Sequence, residues 1–244
     1  MPDDSLPLAV ILAGGLGTRI RHLLPNIPKS LAPVGGRPFL EWVVRFLHAQ
    51  GATRIVFSIG YLGSQIEEFA KHVKLSGLEI TCVHEAAPLG TAGALAHSLE
   101  NLQTGAGNVL VCNGDSLALV DLRPLTRALA EPDTGGALIA VHVADASRYG
   151  TVDIGGDGTL KGFSEKRPGA GLVNAGIYLL RGALLDRFPE RTPLSLEYDI
   201  FPSLLGQGAR LRVVPCTCPF LDIGTEASLS QAEVFVRGNM EWFG

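Results

Sequence analysis

Three glycines fall within four positions in Gly14-Gly15-Leu16-Gly17-Thr18. Two cations follow, Arg19 at once and Lys29 ten positions later. Glycine admits positive φ and lets backbone come close to a ligand, so such a loop can aim several N–H groups at phosphate oxygens. Arginine and lysine beside it suit a polyphosphate, whose charge must be neutralised and whose oxygens must be bonded. Two aspartates extend the pattern. Asp115 ends the run Val109-Leu110-Val111-Cys112-Asn113-Gly114, and Asp222 follows Phe220-Leu221. A carboxylate at the end of an apolar strand can hold a hard cation against phosphate oxygens, and two can converge on one ion. Other roles stay open here: Asp115 as the cap of a turn and of a helix starting near Leu122, Asp222 as a turn residue, Arg19 and Lys29 as solvated side chains. Glu85 is a third acid of interest. An ionised carboxylate only accepts, so it suits a ligand edge that presents two adjacent N–H donors and repels one that presents carbonyls. Its plain alternative is a side chain in solvent at a strand end.

These side chains need a scaffold. Residues 8–13 form an unbroken apolar run, as expected of a strand buried on both faces of a parallel sheet. Helical spacing of Phe39, Leu40, Val43, Val44 and Leu47 predicts a helix over 38–50, with Pro38 in its first turn and Gly51 as its stop. Strands are expected at 54–59 and 78–83, helices at 64–74 and 92–102. This alternation predicts parallel β-α-β units in an open α/β sheet, where ligands bind beyond the carboxyl ends of the strands. A helix over 122–130 and a strand over 137–143 follow. The rhythm then breaks: residues 151–154 and 159–163 flank Gly155-Gly156-Asp157-Gly158, a hairpin signal. A strand at 210–215 and a closing helix at 226–237 complete the chain. Two other glycine loops fail. A dinucleotide fingerprint starting at Gly15 needs Gly or Ala where Ile20 stands, and a P-loop needs Gly where Pro28 precedes Lys29.

The string Gly14-Gly15-Leu16-Gly17-Thr18-Arg19, followed by Pro28-Lys29-Ser30-Leu31-Ala32-Pro33-Val34, closely resembles the opening of the sugar-1-phosphate nucleotidyltransferases. Pro88-Leu89-Gly90-Thr91-Ala92-Gly93-Ala94, Val173-Asn174-Ala175-Gly176, Ser195-Leu196-Glu197-Tyr198-Asp199 and Phe220-Leu221-Asp222-Ile223-Gly224-Thr225 resemble later motifs of that family, in its order. The resemblance implies nucleotide contacts from Leu12, Ala13, Gly14, Gly15, Gly17, Thr18, Glu85, Pro88, Gly90, Thr91, Asn113 and Gly114. It implies sugar-phosphate contacts from Tyr149, Gly150, Glu165, Lys166, Asn174, Gly176 and Glu197. Mg²⁺ would sit on Asp115 and Asp222, and Arg19 and Lys29 would be catalytic. The implied fold is a Rossmann-like three-layer α/β/α sandwich, with a mixed, mostly parallel central sheet and a small β-rich sugar-binding lid in the second half. On the residues alone, Glu165-Lys166 also reads as a solvated turn, Glu197 as helix N-terminal charge, and the small residues of 92–102 as helix–sheet packing.

The short chain and the forms P-K-S-L-A-P-V, S-L-E-x-D and F-L-D-I-G-T most resemble the D-glycero-D-manno-heptose 1-phosphate guanylyltransferase branch. That implies GTP and a sugar 1-phosphate as substrates. Two alternatives are uridylyl or thymidylyl transfer to a hexose or N-acetylmuramate 1-phosphate, and a non-catalytic nucleotide-sugar-binding subunit. With 244 residues, 46% apolar and 18% charged, one domain over 1–244 with a well-filled core is expected. A net charge of −4 without a basic block argues against nucleic acid. No apolar run reaches the length of a membrane span and Met1-Pro2-Asp3-Asp4-Ser5 lacks a basic leader, so the expected address is the cytoplasm, without a membrane partner. A homodimer is left open. Cys82, Cys112, Cys216 and Cys218 are expected as reduced core thiols, since the pair 216/218 alone is too few ligands for zinc.

Overall fold

A computed structural model describes residues 6–102, 107–164, 168–190 and 192–244. The first half runs β1 (Leu8–Leu12), β2 (Pro33–Val34), β3 (Arg37–Pro38), α1 (Phe39–Ala49), β4 (Arg54–Ile59), α2 (Gly63–His72), β5 (Glu79–His84), α3 (Gly90–Leu102), β6 (Val109–Asn113), β7 (Ser116–Ala118) and α4 (Arg123–Ala130). The second half adds β8 (Thr134–Val143), β9 (Thr151–Ile154), β10 (Leu160–Ser164), β11 (Gly171–Leu180), α5 (Gly182–Leu185), α6 (Phe201–Gly206), β12 (Arg210–Cys216), β13 (Phe220–Asp222) and α7 (Glu226–Arg237). The chain forms two compact units. One contains residues up to Pro88 with Cys112–Leu119 and Pro219–Gly244; the other contains Leu89–Val111 and Val120–Cys218.

In the first unit the strand order is β1-β4-β5. The β1–β4 and β4–β5 pairs are parallel, with Ala9 opposite Ile55 and Ile59 opposite His84. Ala9, Val10 and Ile11 are fully buried, which is why β1 carries no polar alternation. The apolar stripe predicted for α1 is buried at Phe39, Leu40, Val43, Val44 and Leu47, and Pro38 is its N-cap. Trp42 on the same helix donates Nε1–H to the Val34 carbonyl at 2.9 Å and meets Phe243 edge-on at 5.1 Å between ring centroids. Trp242 lies against Phe46 at 6.2 Å. Far apart in sequence, β7 and β13 pair antiparallel, with Asp222 opposite Ser116. Thr225 starts α7 through a reciprocal capping box with Ser228.

In the second unit β8 lies between β11, antiparallel, and β12, parallel. The predicted hairpin is present as β9–β10, and the local order is β10-β9-β11-β6. Strand β11 is bulged. From Asn174 to Tyr178 it advances four residues while β8 advances two, from Ala140 to Leu138. Gly176 sits inside the bulge at φ +72°, where a side chain would be strained. The sheet is thus mixed, with parallel β-α-β pairing and an antiparallel portion, as expected.

Candidate active site

A cavity of about 180 Å³ opens in the first unit beyond the end of β1. Its walls come from the glycine loop (Gly15, Gly17, Thr18, Arg19), from Lys29 and Ser30, and from Gly114, Asp115 and Gly224. Each loop glycine has its own reason. A Cβ on Gly14 would lie 2.5 Å from Glu85 Oε1. Gly17 has φ +57°, and its Cβ would lie 3.0 Å from that of Lys29. Gly15 has neither constraint: no atom lies within 4 Å of where its Cβ would stand, and its φ is not positive. Its lack of a side chain answers to nothing in the protein and suits close approach of a ligand.

Lys29 opens the short 3₁₀ turn Lys29–Leu31. Its side chain is 10% exposed and its Nζ lies 2.6 Å from Asp115 Oδ2. Arg19 is exposed. Asp115 stands in the turn joining β6 to β7, and the Ile223 amide donates to its carbonyl at 3.0 Å. The β7–β13 ladder therefore brings Asp222 beside Asp115. Asp222 Oδ1 accepts the Gly224 amide at 2.6 Å. A Cβ on Gly224 would lie 2.4 Å from Asp222 Oδ1, 3.1 Å from Arg19 Nη2 and 3.2 Å from Lys29 Nζ. The ends of these three charged side chains meet where a side chain on residue 224 would stand. Burial pushes the Asp222 carboxyl above its ordinary range, and the charge of Asp115 adds to this; Lys29, the Gly224 amide and Arg19 oppose it. The helix after this segment is capped elsewhere, because the Arg123 amide donates to Asp121 Oδ1 at 3.0 Å. Asp115 is thus not its cap.

Glu85 follows β5, and its amide donates to the Ile59 carbonyl at 2.8 Å. Its carboxylate does not stand in open solvent: Oε1 accepts the hydroxyl of fully buried Ser58 at 3.1 Å and packs on Gly14. Asn113 ends β6, and the Gly114 amide donates to the Leu12 carbonyl at 3.0 Å. Pro88 is exposed.

The second unit gathers a separate polar cluster around Glu197. Tyr178 donates its hydroxyl to Glu197 Oε1 at 2.6 Å, Ser195 to Oε2 at 2.8 Å and Thr91 to Oε2 at 3.4 Å. Asn174 Nδ2 donates to the Tyr178 hydroxyl at 2.6 Å, and Asn174 Oδ1 accepts the Gly176 amide at 3.1 Å. A carboxylate offers roughly four lone-pair sites; three are taken by hydroxyls, leaving room for one further donor. Glu197 also lies in the first turn of the π-helix Leu196–Ile200 capped by Ser195, the place expected for helix N-terminal charge. Thr91 accepts the Leu196 amide at 2.8 Å. Gly90, at φ +73°, lets the Leu194 carbonyl pass, since its Cβ would be 2.4 Å from that oxygen. The small face of α3 is buried at Ala92, Gly93 and Ala94, which is packing. Tyr149 and Gly150 are half-buried, the Gly150 carbonyl accepting the Asn174 amide at 3.4 Å. Glu165 and Lys166 lie outside the described residues.

Residues 8–239 match the family described as Nucleotidyl transferase. The chain belongs to the nucleotidyl transferase family. This nucleotidyl transferase is 36% identical over 190 residues to the D-glycero-alpha-D-manno-heptose 1-phosphate guanylyltransferase of Campylobacter jejuni, the match covering 78% of this chain and 82% of that protein. It is 32% identical over 219 residues to the mannose-1-phosphate guanylyltransferase catalytic subunit beta of Drosophila melanogaster, covering 88% of this chain but only 59% of the longer relative. The crystal structure of HddC from Yersinia pseudotuberculosis, complexed with GMP-PN, superposes with a TM-score of 0.84 at 29% identity, over 94% of this chain and 99% of that one.

Sequence reasoning missed several residues of this nucleotidyl transferase that the geometry brings in. Gly224 follows Asp222 by two positions, a spacing that signals a turn about the carboxylate. Ser58 and Tyr178 gave no signal, because they are reached through strand register and the β11 bulge; Ser195 stands in the Ser195–Asp199 string itself and meets Glu197 as the cap of the π-helix. Among the described residues no group of three or more His, Cys, Asp or Glu could hold a metal alone, and no helix is long and apolar enough to cross a membrane. Two carboxylates do suit Mg²⁺, which is commonly held by one or two of them plus substrate phosphates. The raised carboxyl of Asp222 beside Asp115 is the mark of two anions kept together in poor solvation, a pair that a cation would relieve.

Proposed function

We propose that this nucleotidyl transferase transfers GMP from GTP to a sugar 1-phosphate, D-glycero-α-D-manno-heptose 1-phosphate, within one catalytic domain spanning residues 1–244. The observation that carries the transfer is the gathering of Arg19, Lys29 and Asp222 about Gly224, with Asp115 held on Lys29, at the cavity beside the glycine loop. A phosphate oxygen of the sugar 1-phosphate attacks the α-phosphorus, the bond to the β-phosphate oxygen breaks, and pyrophosphate leaves. The attacking oxygen is already an anion, so the reaction needs no general base and no covalent enzyme intermediate. Alignment and charge neutralisation remain. Lys29 neutralises the α-phosphate region, and Arg19 grips the departing pyrophosphate. Asp115 and Asp222 would hold Mg²⁺, which supplies Lewis-acid neutralisation of phosphate charge. Gly15 admits the phosphate chain, with Leu12, Ala13, Thr18, Asn113 and Gly114 around the nucleotide. Glu85, aimed by Ser58, accepts the two adjacent donors of guanine. Glu197 uses its remaining acceptor site on a sugar hydroxyl, with Lys166 on the sugar phosphate, and β9–β10 serves as the sugar-binding lid. The heptose reading is supported by the similarity to the Campylobacter jejuni protein. The test is pyrophosphate release with Mg²⁺ across GTP, UTP, dTTP and ATP against heptose, mannose, glucose and N-acetylmuramate 1-phosphates. GTP with the heptose phosphate should give the highest kcat/KM; preference for UTP or dTTP overturns the guanylyl reading.

A further inference from the structure

We propose that Cys216 and Cys218 form a dithiol site that closes to an intrachain disulfide by exchange with a low-molecular-weight disulfide. Both thiols are half-buried, where core packing was expected, and their sulfurs stand 3.7 Å apart. Two residues of extended chain span about 6.6 Å, inside the roughly 4.4–6.8 Å Cα range that disulfides bridge. Cys216 is the last residue of β12 and Cys218 lies just past the strand end. The sulfurs need only close to about 2.05 Å, within reach of side-chain rotation at a strand end.

Either S–H can donate to the other sulfur, and Cys216 Sγ also donates toward the Ala140 carbonyl at 3.6 Å. Whichever thiol ionises first is held as a thiolate by the S–H of its neighbour. The other cysteines lack this arrangement: burial pushes Cys82 up to about 11 and Cys112 higher still. In the exchange one cysteine of the pair gives up its proton and attacks one sulfur of the small disulfide RSSR, and the first RS⁻ leaves and takes a proton. The other cysteine then gives up its proton and attacks the first one's Sγ in the mixed disulfide, releasing the second RS⁻, which is protonated in turn. The pair is oxidised by two electrons, and RSSR is reduced to two thiols. A ring closed over the single residue Thr217 removes little chain entropy, so a reductant can reopen it. The ring also falls where the chain leaves β12, two residues before β13 carries it to Asp222.

The reduced full-length protein should be incubated with oxidised glutathione and followed by intact mass, thiol titration and peptide mapping. The expected result is loss of two hydrogen atoms from the mass, a linked 216–218 peptide, and reversal by dithiothreitol. Cys216→Ser and Cys218→Ser should each halt at a glutathione adduct on the remaining cysteine, with no two-hydrogen loss. A stable glutathione adduct in the wild type without the two-hydrogen loss overturns the proposal. So does a pair that reacts no faster than Cys82 in the same sample, a measurement independent of how any variant folds.

Discussion

Replacing Lys29 by alanine removes a cation that the fold holds 2.6 Å from Asp115; replacing Arg19 removes one that stands exposed at the cavity mouth. Each variant should lower kcat at least 10²-fold, about 2.7 kcal/mol, because charge grows on the leaving pyrophosphate in the transition state. A change confined to KM would mark ground-state binding and remove the catalytic role. Glu85→Gln should lower kcat/KM for GTP about ten- to a hundredfold, since hydrogen bonds to charged groups contribute roughly 1.5–3 kcal/mol, and should affect UTP much less. Ser58→Ala should move the same ratio in the same direction by a smaller factor, as it removes one hydrogen bond to the Glu85 carboxylate without removing the carboxylate. An unchanged GTP-to-UTP ratio in both leaves guanine to the backbone of the loop. Asp222 has a consequence for pH. Its folded pKa lies above the ordinary 3.8, so ionisation weakens the metal-free fold. Stability is highest below the ordinary value, falls as pH rises through the raised one, and stays lower above it. Asp222→Asn should therefore melt higher than wild type at neutral pH in EDTA, yet lose most turnover and the melting gain with Mg²⁺. A variant that melts no higher in EDTA contradicts the electrostatic reading.

Among the elements, the glycine loop separates folding from binding. Gly17→Ala places a side chain in left-handed backbone against Lys29 and should destabilise by about 1–2 kcal/mol. Gly15→Ala meets nothing, so melting should stay unchanged while KM for the triphosphate rises about tenfold or more, some 1.4 kcal/mol. If Gly15→Ala leaves KM alone, the loop does not approach the phosphates there. The elements themselves were legible where periodicity is strong. Strand β4 and helix α7 fall on the expected residues, and β1, α1 and α4 differ by a residue or so at their ends. Asp115 and Asp222 stood out as charges after apolar runs, and Arg19 and Lys29 as cations beside a glycine loop; the fold brings these four side chains near one another. What escaped depends on pairing between distant short strands and on irregular register. Three-residue β7 and β13 carry too little pattern to announce their ladder, yet that ladder brings the two aspartates together. The β11 bulge, which puts Asn174 and Tyr178 within one hydrogen bond, breaks the two-residue alternation on which strand reading relies. The cysteine pair was misread as core because a C-x-C at a strand end has the composition of a buried strand and the exposure of a loop.

At the scale of the molecule, the β-α alternation made the α/β class legible. The interleaving of the units was not, because the first unit returns to the chain at Cys112–Leu119 and again at Pro219–Gly244. Nothing local in the sequence marks those returns. The placement of the aromatic side chains turns this division into an optical one. The protein has two tryptophans, and both Trp42 and Trp242 belong to the first unit, each against a phenylalanine of that unit. Emission excited at the red edge of the absorption band therefore reports on the first unit alone, while far-ultraviolet circular dichroism reports on both. If residues 1–244 act as one domain, urea titrations followed by the two signals should superimpose, with one midpoint and one slope. A tryptophan transition displaced from the dichroism curve would mean that the two units melt separately, and it would give the stability of the half that carries Lys29 and the two aspartates directly, without cutting the chain.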